Sequence, residues 1–192
     1  TSDAPFSRPV TFSDPVEAAR KAVDILRNRE GAELVVCLSH SGTSADKDRS
    51  EDEILAREVP GIDVIISGHT HTVLEKPILA GKTIIVSAGC YGAYLGILEV
   101  EVLRSGGAAL VSYGLSPVDS SLPEDPAIAR KIADYKGIVD SEYLSAFRLS
   151  HDRVLAEIAF DMEALCDAYG RSAETGLGNL IADAYRHAVR RA

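Results

Sequence analysis

The hydrophobic pattern predicts two helices in the first third of the chain. Residues 14–30 place apolar side chains on one face at helical spacing. Asp14 precedes the helix, where its side chain can accept hydrogen bonds from free backbone N–H groups, and Pro15 follows where a missing N–H costs nothing. Gly31 then marks the end of the helix. A shorter helix is predicted over residues 51–59, ending before a proline.

Short apolar runs between and after these helices predict strands. Residues 33–39 and 62–67 are continuous apolar runs rich in β-branched side chains, which is typical of strands covered on both faces. Residues 82–87 form another such run, and residues 95–104 and 108–115 flank a Ser-Gly-Gly turn. The last two runs therefore predict an antiparallel hairpin. We expect a mixed-sheet α/β sandwich, because the α-then-β alternation gives way to sequential pairing.

The second half of the chain returns to helical patterns. Residues 116–126 are rich in Ser, Pro and acidic side chains and predict a surface loop. A helix is expected from about Asp125 to Leu149, followed by a short strand over residues 151–159. An amphipathic stripe then predicts a C-terminal helix over residues 174–192.

Composition and charge exclude several classes of function. The chain has 192 residues, with 20 Lys+Arg and 29 Asp+Glu, and a net charge of −9. An acidic chain lacks the basic footprint of a nucleic-acid binder, and no apolar run is long enough to span a membrane. A small phosphorylated substrate remains possible, because a bound metal ion can dominate the charge of its own site. The three cysteines are widely spaced and do not form a disulfide framework.

The candidate chemistry lies where the two apolar strands end. His40 follows the first strand, and His69 and His71 follow the second after Gly68. Polar residues beyond the carboxyl ends of sheet strands are the usual place for ligand sites in α/β proteins. Each histidine alone has an ordinary explanation as a loop residue, but together, on neighbouring strands, they favour a metal site. Neutral imidazoles suit Zn²⁺, Mn²⁺ or Fe.

Other polar residues are weaker candidates. Asp46 and Asp48 could add carboxylate ligands, but their alternating-charge setting is typical of a solvated loop. His151 and His187 have no comparable setting and are expected to be solvated. The chain has no nucleophile elbow, Walker A loop or dinucleotide-binding glycine motif.

Four segments resemble the metal-dependent 5′-nucleotidases, a branch of the calcineurin-like metallophosphoesterases. They are residues 35–42 (VVCLSHSG), 59–72 (VPGIDVIISGHTHT), 87–96 (SAGCYGAYLG) and 174–184 (ETGLGNLIADA). The resemblance implies a metallophosphoesterase-like fold and two divalent ions, with His40 and His69 on one ion and His71 on the other. Two such ions activate a water for attack on a phosphoryl group. The implied substrates are nucleotides or related small phosphorylated compounds, and the implied location is periplasmic or extracellular.

The family's Asp-x-His, Gly-Asp and Asn-His motifs do not occur in this chain. In the family these motifs supply the bridging carboxylate, a further ligand and the histidine of the transition state. The resemblance therefore assigns residues 1–120 to the second half of a metallophosphoesterase domain. It assigns residues 121–158 to a linker helix and strand, and residues 159–192 to the start of a nucleotide-binding domain. We expect the isolated chain to be weakly active or inactive without the remainder of its parent.

Two alternatives to this interpretation stay open from the sequence. A different hydrolase could use the same scaffold, such as a cyclic-nucleotide phosphodiesterase or a nucleotide-sugar hydrolase. A thiosulfate-ester hydrolase is another member of that class. The second alternative is a non-catalytic interaction module, which would bind no metal at His40, His69 and His71. The start at Thr1, without a signal-peptide pattern, is compatible with maturation or with excision from a larger protein.

Overall fold

The computed structural model describes residues 11–104, 106–159, 162 and 174–190. The chain divides into two compact units, Thr1–Pro123 and Glu124–Ala192. The first unit contains both candidate loops and the sheet that positions them.

The first unit is built on a mixed four-stranded sheet. Its elements are α1 (Pro15–Asn28), β1 (Val36–Ser39), α2 (Glu51–Glu58), β2 (Val64–Ser67), β3 (Ile78–Ala80), β4 (Thr83–Val86), β5 (Tyr94–Val102) and β6 (Ala108–Pro117). The strand order is β1-β2-β4-β3, with β1, β2 and β4 parallel and β3 antiparallel to β4. Strand β3 is too short to produce a sequence pattern and lies outside the predicted elements. The mixed α/β class that the sequence predicts is confirmed.

Two hydrophobic clusters fix the sheet from opposite faces. Ile65 and Ile85, both fully buried, pack with residues of α1 and α2 on the helical face. Val64, Ile84 and Val86 pack on the other face against β5 and β6. β5 and β6 form the expected antiparallel hairpin, with one register irregularity between Glu99 and Val100. A single sheet therefore separates a helical layer from a hairpin layer.

The expectation that both apolar strands are covered on both faces is wrong for β1. Val36 is 45% exposed and Leu38 is 79% exposed, while Cys37 packs against the helical cluster. β1 is an edge strand of the sheet, and the hairpin packs over β2 and β4. The continuous apolar run thus shows burial on one face only within this chain.

The ends of α1 follow the sequence signals. The Asp14 side chain accepts a hydrogen bond from the backbone N–H of Glu17, and Pro15 occupies the first turn. Gly31 adopts φ +69° just after the helix, a conformation that glycine tolerates best. Near the end of α1, the Arg27 guanidinium binds Asp63, which also accepts a hydrogen bond from the backbone N–H of Val35. This pair ties the helix to the amino ends of β1 and β2.

The regular elements of the second unit, within the described residues, are helices. α3 (Pro126–Glu142) begins at Asp125, whose side chain accepts from the backbone N–H groups of Ala127 and Ile128. The helix is shorter than predicted, because Leu144–Phe147 forms a separate 3₁₀ turn ending at Arg148 with φ 55°. α4 (Gly176–Val189) is capped by Thr175.

A second prediction in this unit is also wrong. Residues 151–159 contain no strand, because their backbone pairs with no neighbouring strand in the part of the chain that the structure describes. The start of the third expected segment, at residue 159, borders residues outside the described ranges. None of the described helices is both long and apolar enough to cross a membrane.

Ile65 is buried in the core and Leu38 on the neighbouring strand is exposed, so truncating them should lower the free energy of unfolding by different amounts. Ile65→Ala removes a fully buried side chain and should lower the free energy of unfolding by about 2–5 kcal/mol. Leu38→Ala alters an exposed side chain and should change it by less than about 0.5 kcal/mol. Urea titration followed by circular dichroism measures both. Equal losses would show that the outer face of β1 is covered in solution.

Candidate metal centre at the carboxyl edge of the sheet

The parallel pairing of β1 and β2 brings the two histidine loops to the same edge. Ser39 and Ser67 are register partners at the ends of these strands. The next residues of each loop are therefore neighbours, and the rings of His40 and His69 lie in an edge arrangement with centroids 5.1 Å apart. Both side chains are exposed. The structure thus joins two of the three histidines that the sequence singles out.

His71 lies in the same loop as His69 and contacts a different ring. Its imidazole packs edge-on against Tyr91, with ring centroids 5.3 Å apart. Tyr91 belongs to the segment after β4 and is 81% exposed. No group of three or more His, Cys, Asp or Glu side chains arranged to hold a metal occurs within the described residues.

The loop backbone is strained at the histidines. His69 and His71 have φ values of 68° and 56°, and Tyr91 has 58°. Non-glycine residues rarely adopt this left-handed region, which costs roughly 1–3 kcal/mol each and clusters at functional sites. The simple alternation of side chains in an extended segment therefore does not apply to His69 and His71.

Two glycines allow the histidine loops to approach each other closely. A Cβ atom at Gly42 would lie 2.4 Å from Cγ2 and 2.8 Å from Oγ1 of Thr70. A Cβ atom at Gly68 would lie 3.2 Å from Nδ1 of His40. Since real side chains do not tolerate the first contact, Gly42 is required where the first loop meets the second.

Hydrogen bonds connect the loops to each other and to the end of β4. The backbone N–H of Thr43 donates to Oγ1 of Thr70 at 3.3 Å, and the hydroxyls of Thr70 and Thr72 are 2.9 Å apart. The hydroxyl of Ser87 donates to the backbone carbonyl of Thr72 at 2.6 Å, and the N–H of Gly89 donates to the same carbonyl. These bonds hold the strained loop from two sides.

A buried carboxylate that the sequence analysis missed lies beneath the first loop. Asp52, on α2, is fully buried and accepts hydrogen bonds from the hydroxyl of Ser39 and the backbone N–H of Gly42. Burial, and secondarily the charge of Asp52, raise the pKa of the Cys37 thiol. Cys37 is therefore a protonated small hydrophobic residue at neutral pH. In the sequence, Asp52 resembles the ordinary acidic residues of a helix N-terminus.

The remaining polar candidates lie apart from the imidazole pair. Asp46 and Asp48 are exposed, and Asp46 accepts a hydrogen bond from the backbone N–H of Asp48 within a turn. His151 and His187 are exposed residues of the second unit. Cys90 is a half-buried free thiol, and Cys166 lies outside the described residues.

The side chains at this edge of the sheet are of a kind that could supply some of the ligands of a metal site. Imidazole is a ligand for Zn, Mn or Fe, and two of them lie in contact at exposed strand ends. Two buried hydroxyls at the roots of the loops, Thr43 Oγ1 and Ser67 Oγ, have no hydrogen-bond partner among the described residues. Unpaired buried polar atoms are rare in folded proteins and mark sites that need an explanation.

Comparisons with known proteins agree with one another. Residues 5–73 match the calcineurin-like phosphoesterase family. The chain is 29% identical to the trifunctional nucleotide phosphoesterase protein YfkN of Bacillus subtilis over 189 residues, covering 95% of this chain and 12% of that protein. It is 30% identical to the human 5′-nucleotidase over 208 residues, covering 96% of this chain and 33% of that protein. The chain therefore spans a third or less of the length of these curated relatives.

Solved structures show the same relationship. The structure of a 5′-nucleotidase precursor from Thermus thermophilus matches 94% of this chain and 36% of that chain, with a TM-score of 0.72 and 26% identity. The sulfate thiohydrolase SoxB of the same organism matches 69% of this chain and 22% of that chain, with a TM-score of 0.58 and 31% identity.

The close approach of the loops predicts the effect of a methyl group at Gly42. Gly31→Ala adds a methyl at φ +69° with no atom within 4 Å, so it should cost only the left-handed strain of about 1–2 kcal/mol. Gly42→Ala has a φ of +97° and the contact with Thr70, and overpacking adds about 1–3 kcal/mol.

Chemical denaturation of both variants, with histidine ring proton spectra, tests this expectation. Gly42→Ala alone should shift the ring resonances of His40 and His69. Equal destabilisation by the two substitutions, with unchanged ring resonances, would contradict the assigned contact between the loops.

Proposed function

Because the chain belongs to the calcineurin-like phosphoesterase family, we propose that it forms part of the metal centre of a nucleotide phosphoesterase similar to the 5′-nucleotidases. The observation that carries this proposal is the pair of imidazoles, His40 and His69, in ring contact at the carboxyl edge of a parallel strand pair. This is the edge where α/β proteins place ligands. The braced, strained loops keep these rings in position.

The proposed ligand set begins with three histidines. His40 and His69 would bind one divalent ion, and His71 would bind a second, the metal being Zn, Mn or Fe. Bound ions supply a water of lowered pKa and positive charge against the phosphoryl oxygens. We propose that the other ligands come from the remainder of the parent protein, since the described residues bring together no third metal-binding side chain.

The chain's own residues would keep the proposed histidine ligands in position before a metal ion binds. Gly68 leaves room for the ring of His40, and Thr70 links the second loop to the first through the N–H of Thr43. Preorganised donors lose less freedom when an ion binds. Tyr91, packed edge-on against His71, restricts the orientation of that ring.

The proposed substrate is a nucleotide or a related small phosphorylated compound. Its support is the similarity to nucleotide phosphoesterases over 95–96% of the chain. The net charge of −9 repels a free phosphate, so a phosphorylated substrate would be met through the metal ions. A thiosulfate-ester hydrolase is the second candidate, because a solved sulfate thiohydrolase matches 69% of the chain at 31% identity.

The wider assignments are proposals of the same kind. Residues 1–120 would be the second half of a catalytic domain, residues 121–158 a linker, and residues 159–192 the beginning of a nucleotide-binding domain. A periplasmic or extracellular location agrees with the resemblance to secreted nucleotidases. The isolated chain would hydrolyse its substrate weakly or not at all.

The metal assignment predicts different effects for two histidine substitutions. His69→Ala removes a proposed ligand and should weaken Mn²⁺ or Zn²⁺ binding. Losing a residue that only supports a ligand weakens metal binding about 10–100-fold, and losing the ligand itself should weaken it more. His187→Ala removes an exposed histidine of α4 and serves as the matched control. Isothermal titration and elemental analysis of the full protein measure both. Equal metal content in wild type and His69→Ala would favour the non-catalytic module.

The substrate assignment predicts a rank order of activities. The full protein should release phosphate from a nucleoside monophosphate with a higher kcat/KM than from a cyclic nucleotide or a nucleotide sugar. His40→Ala should abolish most of that activity, because it removes a proposed metal ligand. Faster release of sulfate from a thiosulfate ester would support the second candidate instead. Turnover by the 192-residue chain alone, at the rate of the full protein, would contradict the proposed division of the active site.

A further inference from the structure

The fully buried carboxylate of Asp52 accepts hydrogen bonds from residues that precede and follow His40 along the chain. One oxygen accepts a hydrogen bond from the hydroxyl of Ser39, directly before His40. The other accepts from the backbone N–H of Gly42, two residues after His40, at 3.2 Å. The backbone N–H of Asp52 donates to the carbonyl of Gly42 at 3.1 Å. We propose that Asp52 is the positioning residue for His40.

The three hydrogen bonds restrict the short segment that carries the imidazole. The contacts lie at residues 39 and 42, so only His40 and Ser41 stand between the fixed points. A segment of this length has few accessible conformations once both ends are held. Asp52 therefore holds the backbone from which the ring of His40 projects to contact His69.

The contacts of Asp52 differ from those of an ordinary helix cap. Ser50 is the capping residue of α2, yet its side chain makes no capping bond and instead accepts from the backbone N–H of Ser44. The Asp52 side chain likewise turns away from its own helix toward the loop. Polar groups at the start of α2 therefore form hydrogen bonds with the first histidine loop.

The charge of Asp52 also distinguishes it from a structural carboxylate. Asp63, the comparable buried acid at the other end of the sheet, is paired with Arg27. Asp52 forms no ion pair with any described residue. The side chain of Asp52 is instead held by hydrogen bonds from the segment that carries His40.

This assignment rests on the proposed metal-binding function, and its test separates the two. Asp52→Asn keeps the shape of the side chain and removes its charge. Asp63→Asn is the matched control, because it alters another buried acid that also accepts from one backbone N–H and one side chain. Ser39→Ala removes one of the contacts of Asp52.

Two readouts are measured on the full protein, alongside thermal unfolding of each variant. The first is the ring proton resonances of His40 without metal, identified by comparison with His40→Ala. The second is Mn²⁺ affinity by isothermal titration. Asp52→Asn should shift the resonances and weaken Mn²⁺ binding about 10–100-fold, with a smaller effect for Ser39→Ala. Asp63→Asn should lower thermal stability and change neither readout.

The possible outcomes are distinct. Unchanged resonances and affinity in Asp52→Asn would overturn the positioning role, as would equal changes in Asp63→Asn. If wild type binds Mn²⁺ while Asp52→Asn behaves like wild type, the proposed function stands and the positioning role fails. If wild type binds no Mn²⁺ but Asp52→Asn alone shifts the His40 resonances, the positioning role stands and the proposed function fails.

Discussion

The parallel, in-register pairing of β1 with β2 is the constraint on which the candidate site depends. It places Ser39 opposite Ser67, so that two loops far apart in sequence leave the sheet side by side. The hydrophobic clusters on the two faces of the sheet fix this register, since a one-residue slip would turn Ile65 away from the helical core. The contact between His40 and His69 is a consequence of that register.

The edge of the sheet that carries the histidines combines strained backbone conformations with hydrogen bonds that hold them in place. His69, His71 and Tyr91 keep left-handed backbone conformations, which persist only where the surroundings determine them. The surroundings here are the hydrogen bonds through Thr70 and the contacts with the segment after β4. The opposite end of the sheet is held by the Arg27–Asp63 pair.

The chain covers only part of the length of its relatives, and the described residues bring together no group of three metal-binding side chains. The human 5′-nucleotidase matches 96% of this chain, but the chain covers only 33% of that protein. The exposed outer face of β1 and the isolated imidazole pair are compatible with a domain to which other segments contribute.

The sequence by itself determined the elements whose signals are local. The caps of α1 and α3, the apolar strands, the hairpin of β5 and β6 and the strand-end histidines can all be predicted. Each depends on side-chain periodicity or on turn chemistry within a few residues. The extension of α3 to Leu149 and the strand at 151–159 are wrong predictions, because weak local patterns do not show whether a pairing partner exists.

Only the tertiary structure decided the features that depend on distant neighbours. The exposure of Leu38, the requirement for Gly42 against Thr70 and the burial of Asp52 follow from contacts across the sheet and between loops. Asp52 and the exposed Glu51 beside it look equivalent in the sequence. The packing of α2 against the first histidine loop buries one and leaves the other in solvent. Burial and contact are properties of which segments meet, and the sequence pattern specifies only which face of a segment is apolar.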